Sequence, residues 1–353
     1  MTRGSYRIAR ICWLLLLALI LTVTGWSAAA AQGDSRLRVV ATTTQVADLV
    51  TIIGGERVAV TALMGAGVDP HLYRPTQADT EAMYNAQIVF YNGLHLEGQF
   101  DTVFAALGQR NIRTYAVASP VELAGYVVFE SLFRSTGTPD PHFWFDPRNW
   151  SLAAEGVAAI LAEGDPAGAD YYRANAEAYI ARLDLLFEWA VQGMTDARIP
   201  PEQRVLVTSH DAFQYFGTAF GWDVRGVQGI STVSEASVRD IQDIAEFVFS
   251  QRIPVIFIES SVPRRTIEAV QEAVRAAARA QGVTFEVQIG IRDLYSDAMD
   301  SPGAFGGTYI GMLASNVITI LQSFGYDVPP WPEGLEPAPP AEWGVPLAAE
   351  DQG

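Results

Sequence analysis

The chain predicts an α/β protein built from two similar halves with largely parallel sheets. Three observations carry this. Short β-rich runs alternate with helical patterns, as in strand–helix–strand units. The alternation is interrupted once by a long helical stretch and then resumes. At 353 residues, 49% hydrophobic and 18% charged, the chain is long enough for two domains with sizeable cores.

The elements follow in order. Residues 1–31, MTRGSYRIARICWLLLLALILTVTGWSAAAA, hold Arg3, Arg7 and Arg10, then an apolar run, then Ala29-Ala30-Ala31. This is the pattern of a secretory signal cleaved after Ala31. The alternative is an N-terminal membrane anchor, but the apolar run is shorter than the ~20 residues a spanning helix needs. RLRVVATTT reads as a strand, QVADLVTIIGG as a helix, RVAVTALM as a strand, QADTEAMYNA as a helix, QIVFYNG as a strand and FDTVFAALGQ as a helix. Residues 32–165 make the expected first lobe.

The stretch 166–196 opens with Asp165 as candidate cap and Pro166 at the first helical position, both favoured there. Tyr172, Ala176, Tyr179, Ile180, Leu183, Phe187 and Ala190 form an apolar stripe at helical spacing. Thirty residues at 1.5 Å each span about 45 Å, which suits either a rod between domains or a long core helix. RVLVTSH, PVIFIES and TFEVQIG then read as strands among helices, and residues 197–328 make the expected second lobe. Residues 329–353, proline-rich and acidic, read as a disordered tail.

Charge and cysteine usage exclude several functions. The formal net charge is −17. Removing the three signal arginines gives −17 − 3 = −20. So acidic a chain without a basic block argues against nucleic acid. The single cysteine, Cys12, lies inside the signal. The exported chain therefore has no disulfide and no thiolate metal ligand, and Cys12 lies too early for lipid attachment at a small-residue site. A soluble extracytoplasmic protein is expected, periplasmic or equivalent.

The chain has four histidines, and two fall in the same rare tripeptide. Asp69-Pro70-His71 and Asp140-Pro141-His142 are stiff, because proline fixes its own φ and disfavours helix in the residue before it. Such a loop presents an imidazole. His210 closes the strand RVLVTSH, and in open α/β sheets ligands gather at the carboxyl ends of strands. His95 sits beside Glu97 in a glycine-flanked turn, where solvent exposure is expected. Asp297 lies in a polar loop after TFEVQIG and competes on spacing with Asp293 and Asp300. Each residue also has an ordinary reading as a surface or hydrogen-bonding group. Imidazoles plus a carboxylate suit a divalent transition metal. Four protein ligands would close a tetrahedral site and leave no position for an activated water. No His-Glu-x-x-His, no Gly-x-Ser-x-Gly and no Gly-x-x-x-x-Gly-Lys occurs.

The stretches VDPHLYRPTQAD, YNGLHLEG, DPHFWFDP, VTSHDAFQYFGTAFGW, IFIESSV and LYSDAMD with GTYIGMLASN together resemble the zinc/manganese-specific solute-binding proteins of metal ABC transporters. The likeness runs from about residue 37 to 327. It implies two α/β lobes joined by a single long rigid helix, with metal bound in the cleft between them. It implies His71 and His142 as ligands from the first lobe, His210 and Asp297 from the second, and no ligand role for His95. The implied partners are a membrane permease of an ABC importer and a divalent metal ion, with the protein a monomer carrying one ion and no catalytic residues. Arg74 stands where many relatives carry an acid. Residues 120–140 lack the histidine-rich insertion of many zinc-dedicated members, and His210 stands where manganese-dedicated members often have Glu. Three imidazoles favour Zn2+ over Mn2+, which prefers more oxygen ligands; Zn2+ is the first expectation, Mn2+ the second and Fe2+ the third. Two other classes are a secreted metal-dependent hydrolase, which needs an open metal position, and a surface adhesin, for which the metal is structural.

Overall fold

The computed structural model describes residues 36–129, 137–196 and 198–348. The expected signal, residues 1–31, lies outside the described residues. Among these, no helix is long and apolar enough to cross a membrane.

The first half is a four-stranded parallel sheet. Strands β1 (Leu37–Ala41), β2 (Val58–Ala62), β3 (Ile88–Tyr91) and β4 (Arg113–Ala116) lie in the order β2-β1-β3-β4. Val39 of β1 aligns with Val60 on one side and Ile88 on the other, so β1 is a central strand, buried at every residue but Arg38. Helices α1 (Thr44–Gly54), α2 (Gln77–Asn85) and α3 (Asp101–Gln109) fill the three crossovers, and α4 (Ser119–Ala124) follows β4. The Thr43 side chain caps α1 by accepting from Val46 N–H, and Thr76 and Asp79 cap α2 reciprocally.

Helix α5 (Pro147–Gly164) starts at the second Asp-Pro of the aromatic stretch: Asp146 caps it and Pro147 takes the first position. The long helix α6 runs Ala169–Met194, preceded by a 3-10 turn at Pro166–Gly168. Tyr172, Ala176, Tyr179, Leu183, Leu186, Trp189 and Ala190 are buried along one stripe. That stripe packs on α1 and α5 of the first half and on the last helix of the second. It is thus a core helix shared by both halves.

The second half repeats the strand order of the first. Strands β5 (Val205–Thr208) and β6 (Asp223–Gly226) pair in parallel, as do β7 (Val255–Ile256) and β8 (Gln288–Ile289). Phe257 N–H donates to Val207 C=O at 2.8 Å and joins the two pairs, giving β6-β5-β7-β8. Here β7 and β8 are shorter than PVIFIES and TFEVQIG suggest, though a parallel bridge between Glu259 and Leu294 extends the line. Helices α7 (Gln214–Phe220), α8 (Val238–Gln251), α9 (Arg265–Ala280) and α10 (Tyr309–Ser323) complete it.

The expectation of a disordered tail is corrected over residues 329–348. Trp331 and Leu335 are buried. Trp331 N–H donates to Pro346 C=O at 2.6 Å, and Trp189 Nε1 donates to Pro329 C=O at 3.1 Å. Proline and acid content read as disorder, but two tryptophans and a leucine give the segment enough apolar surface to dock.

Candidate metal centre

Both Asp-Pro-His tripeptides fold the same way. The Asp69 carboxylate accepts the His71 backbone N–H at 2.9 Å, and Asp140 accepts that of His142 at 2.9 Å. Each aspartate thus closes a turn onto its own histidine. The two then differ. Asp140 Oδ1 also lies 2.7 Å from His142 Nδ1, whereas Asp69 turns its other oxygen to Thr232 Oγ1 of the second half, at 2.6 Å.

The His142 loop is held from several sides. Asn92 Nδ2 donates to Pro141 C=O at 3.0 Å, Tyr215 hydroxyl to Asp140 C=O at 3.1 Å and Tyr309 hydroxyl to Trp144 C=O at 2.6 Å. Phe143, Trp144 and Phe145 behind it are fully buried. His210 follows β5, where Glu259 accepts its backbone N–H at 2.8 Å and places the second oxygen 2.5 Å from Nδ1. Gly226 permits this turn: a Cβ there would lie 2.5 Å from Asp211 N and 2.7 Å from the His210 carbonyl carbon. Asp297 sits in the loop after β8. That loop is tied to α10 by Asn316, which accepts from Tyr295 N–H at 2.9 Å and donates to Tyr295 C=O at 2.7 Å. It is tied to the first half by Thr44 and Gln45, through Met299 N–H at 2.9 Å and Ser296 C=O at 3.2 Å.

These elements bring His71, His142, His210 and Asp297 together, with one donor atom from each within 4.8 Å of all the others. His142 Nε2 is 3.4 Å from both His71 Nε2 and His210 Nε2. Asp297 Oδ1 is 3.1 Å from His142 Nε2, and Oδ2 is 3.3 Å from His210 Nε2 and 3.9 Å from His71 Nε2. A tetrahedral shell with bonds of about 2.0–2.1 Å has edges of about 3.3–3.4 Å, so the spacing fits a small cation at the centre. All four residues are buried, His71 being the most exposed at 4%. Neither Asp297 oxygen has a hydrogen-bond partner, a costly state for a buried carboxylate that has no cation to face.

Electrostatics sort the imidazoles. Burial pushes His71 down to about 3, although the Asp297 carboxylate opposes it. Burial also disfavours charge on His142, but Asp140 and Asp297 outweigh it and hold the ring at about 9. His210 is raised well above its ordinary value, because Asp297 and Glu259 overcome the burial penalty. Burial would raise Asp297, but His210, His142 and His71 hold it well below the usual carboxylate range. The carboxylates of Asp140, Glu259 and Asp297 thus favour positive charge on this cluster.

His95 lies apart, exposed, with φ of 63°. Asp293 pairs with Arg264 at 2.9 Å, and Asp300 accepts the Tyr295 hydroxyl at 2.7 Å. Sequence reasoning missed Glu259, whose signal was an acid closing the apolar run PVIFI. It read Asp69 and Asp140 only as proline partners, not as acceptors. The buried Glu97, which accepts from Thr42 Oγ1 and Asn92 N–H at 2.7 Å each, was taken only as a neighbour of His95.

Two parallel-sheet halves around a shared helix, with a closed nitrogen and oxygen donor set between them, define a metal-binding solute-capture protein. A family model described as zinc-uptake complex component A, periplasmic, matches residues 39–323. The chain belongs to this family. It is 40% identical over 303 residues to the manganese-binding lipoprotein MntA of Bacillus subtilis, covering 86% of this chain and 94% of that one. It is 40% identical over 292 residues to the zinc-binding protein TroA of Treponema pallidum, covering 82% and 90%. The solved structure of TroA matches with a TM-score of 0.74 at 39% identity, over 82% of this chain and 99% of that chain. The Fe(III)-bound structure of YtgA from Chlamydia trachomatis matches with a TM-score of 0.71 at 25% identity, over 83% and 99%. The family is one of metal-binding transport components, not enzymes, so neither the hydrolase nor the adhesin reading is taken further.

Proposed function

We propose that this chain captures one divalent transition metal ion in an extracytoplasmic space and delivers it, as a monomer, to the membrane permease of an ABC importer. His71 and His142 from the first lobe and His210 and Asp297 from the second are the ligands. The single observation carrying this is the buried four-atom cluster with edges near those of a tetrahedral shell. A shell filled by four protein donors leaves no site for a reacting water, which suits carriage. The lobes follow the boundaries 32–165 and 197–328, with 166–196 as the connecting helix and a cleaved signal at 1–31.

Zinc is the favoured cargo, ahead of manganese and ferrous iron. Three imidazoles and one carboxylate follow the usual affinity order toward zinc, and manganese prefers more oxygen. The relatives include one named for zinc and one named for manganese. The test is metal analysis of protein purified without chelator or nickel affinity, followed by competition between zinc and manganese. One zinc per chain that manganese cannot displace supports the assignment; preferential manganese loading overturns the choice of cargo. More than one tightly held ion, or none, overturns the site.

A further inference from the structure

The C-terminal segment 329–348 lies beyond the part of the chain that the family model matches, which ends at residue 323. It packs along the outer side of the second lobe and touches both ends of the loop that carries Asp297. At the near end, the Arg292 guanidinium lies 4.3 Å over the Trp343 ring. Gln322 of α10 ties the two together: its Oε1 accepts from Arg292 Nη1 at 3.1 Å, and its Nε2 donates to Trp343 C=O at 2.6 Å. At the far end, Phe305 meets the Trp343 ring at 5.4 Å and the Trp331 ring at 6.1 Å. Trp331 is in turn seated on Trp189 of the long helix at 4.9 Å, and Arg182 of that helix donates to Glu336 C=O. The segment therefore bridges the shared helix and the Asp297 loop from outside.

We propose that this C-terminal strap braces the Asp297 loop, and that Trp343 is a positioning residue that slows metal release. The inference rests on the reading that Asp297 is a ligand. The loop's inner side is tied to Thr44, Gln45 and Asn316. For Asp297 to leave the ion while those ties hold, the loop must flex between Arg292 and Phe305. Trp343 spans those two points, so it opposes that motion without touching metal. Ligand geometry depends on such outer support as well as on the donors.

The experiment follows zinc release into excess chelator by stopped flow on the full chain, comparing wild type with Trp343→Ala, Trp343→Phe and Arg292→Gln. Trp343→Ala is expected to release zinc roughly three- to tenfold faster, given the size of cation–π contacts and of outer-shell effects. Trp343→Phe keeps an aromatic face and the backbone tie to Gln322, and should restore most of the slow rate. Arg292→Gln should speed release in the same direction, which keeps the test decisive if Trp343→Ala folds poorly. A merely structural role would lower the melting temperature of the metal-free chain and leave the release rate unmoved. Release within twofold of wild type for both Trp343→Ala and Arg292→Gln overturns the proposal. Asp297→Ala separates the two claims: wild-type affinity in that variant overturns the ligand reading itself.

Discussion

The two halves share a strand order, β2-β1-β3-β4 and β6-β5-β7-β8, yet they build the site by different means. The first half supplies both of its imidazoles from Asp-Pro-His loops, each turn closed by its own aspartate. The second supplies His210 from a strand end and Asp297 from the loop after the last strand. Each half buries a glutamate near the end of its third strand. Glu97 gathers Thr42, Asn92 and Gly93, while Glu259 holds the backbone and ring of His210. A buried glutamate past the third strand thus holds backbone and a threonine in one half, and a histidine of the candidate metal centre in the other.

The comparison breaks first at the ligands. Alanine at His71, His142, His210 or Asp297 is expected to weaken zinc binding by more than the ~10–100-fold that loss of an outer partner causes. His95→Ala should stay within about twofold, since loop exposure without contact usually means little effect. Calorimetric titration with chelator competition, with circular dichroism as a folding check, measures this. A loss of binding in His95→Ala with none in His142→Ala would refute the ligand set.

The two glutamates give the next test. Glu259→Gln keeps the shape and the backbone bond but removes the negative charge 2.5 Å from the His210 ring, so zinc affinity should fall roughly 10–100-fold. Glu97→Gln should leave affinity unchanged and lower stability by about 1–3 kcal/mol through the unmatched amide. Titration and thermal melts on both variants decide it, and equal affinity losses would erase the distinction between the halves.

The pH dependence should be displaced upward from that of three ordinary histidines, and steeper between pH 7 and 9. Metal requires neutral imidazole. His71, at about 3, is already neutral at pH 7. His142, at about 9, and His210, raised well above its usual value, are protonated there. Loading at pH 7 should therefore release two protons, and affinity should rise with pH from 6 toward 9. Calorimetry in buffers of different ionisation heat counts the protons; fewer than one released at pH 7, with affinity level above it, would contradict this ordering.

The smallest effect belongs to the contact between the halves. Thr232→Val removes one hydrogen bond to Asp69, a loss of about 0.5–1.5 kcal/mol. It should speed release only a few-fold with stoichiometry unchanged, as stopped-flow chelation would show. An unchanged rate would mean that this bond does not restrain the His71 loop.

Much of this was legible in the sequence because the decisive residues sit where local rules are strong. Proline stiffened both Asp-Pro-His loops, and β-rich runs alternating with helices announced the parallel sheets. The long helix showed itself by its stripe, though not that both halves would pack on it. What failed had physical causes. Glu259 acts through a contact with His210, 49 residues away in sequence, which no local pattern records. The strands β7 and β8 read too long because apolar residues in the flanking loops are buried as well. The C-terminal strap was hidden by its prolines and acids, since docking depends on where Trp331 and Trp343 land.

The aromatic surroundings of His142 have a consequence for observation. Trp144 is fully buried, and its ring lies 5.2 Å from the His142 imidazole. A protonated imidazole at that range quenches indole emission, and a bound closed-shell ion that displaces the proton relieves the quenching. Zinc loading should thus brighten the chain and cobalt should darken it, with the difference absent in Trp144→Phe. Trp144 emission would then gauge occupancy of the proposed site, because Trp144 lies two residues from His142 on the same loop.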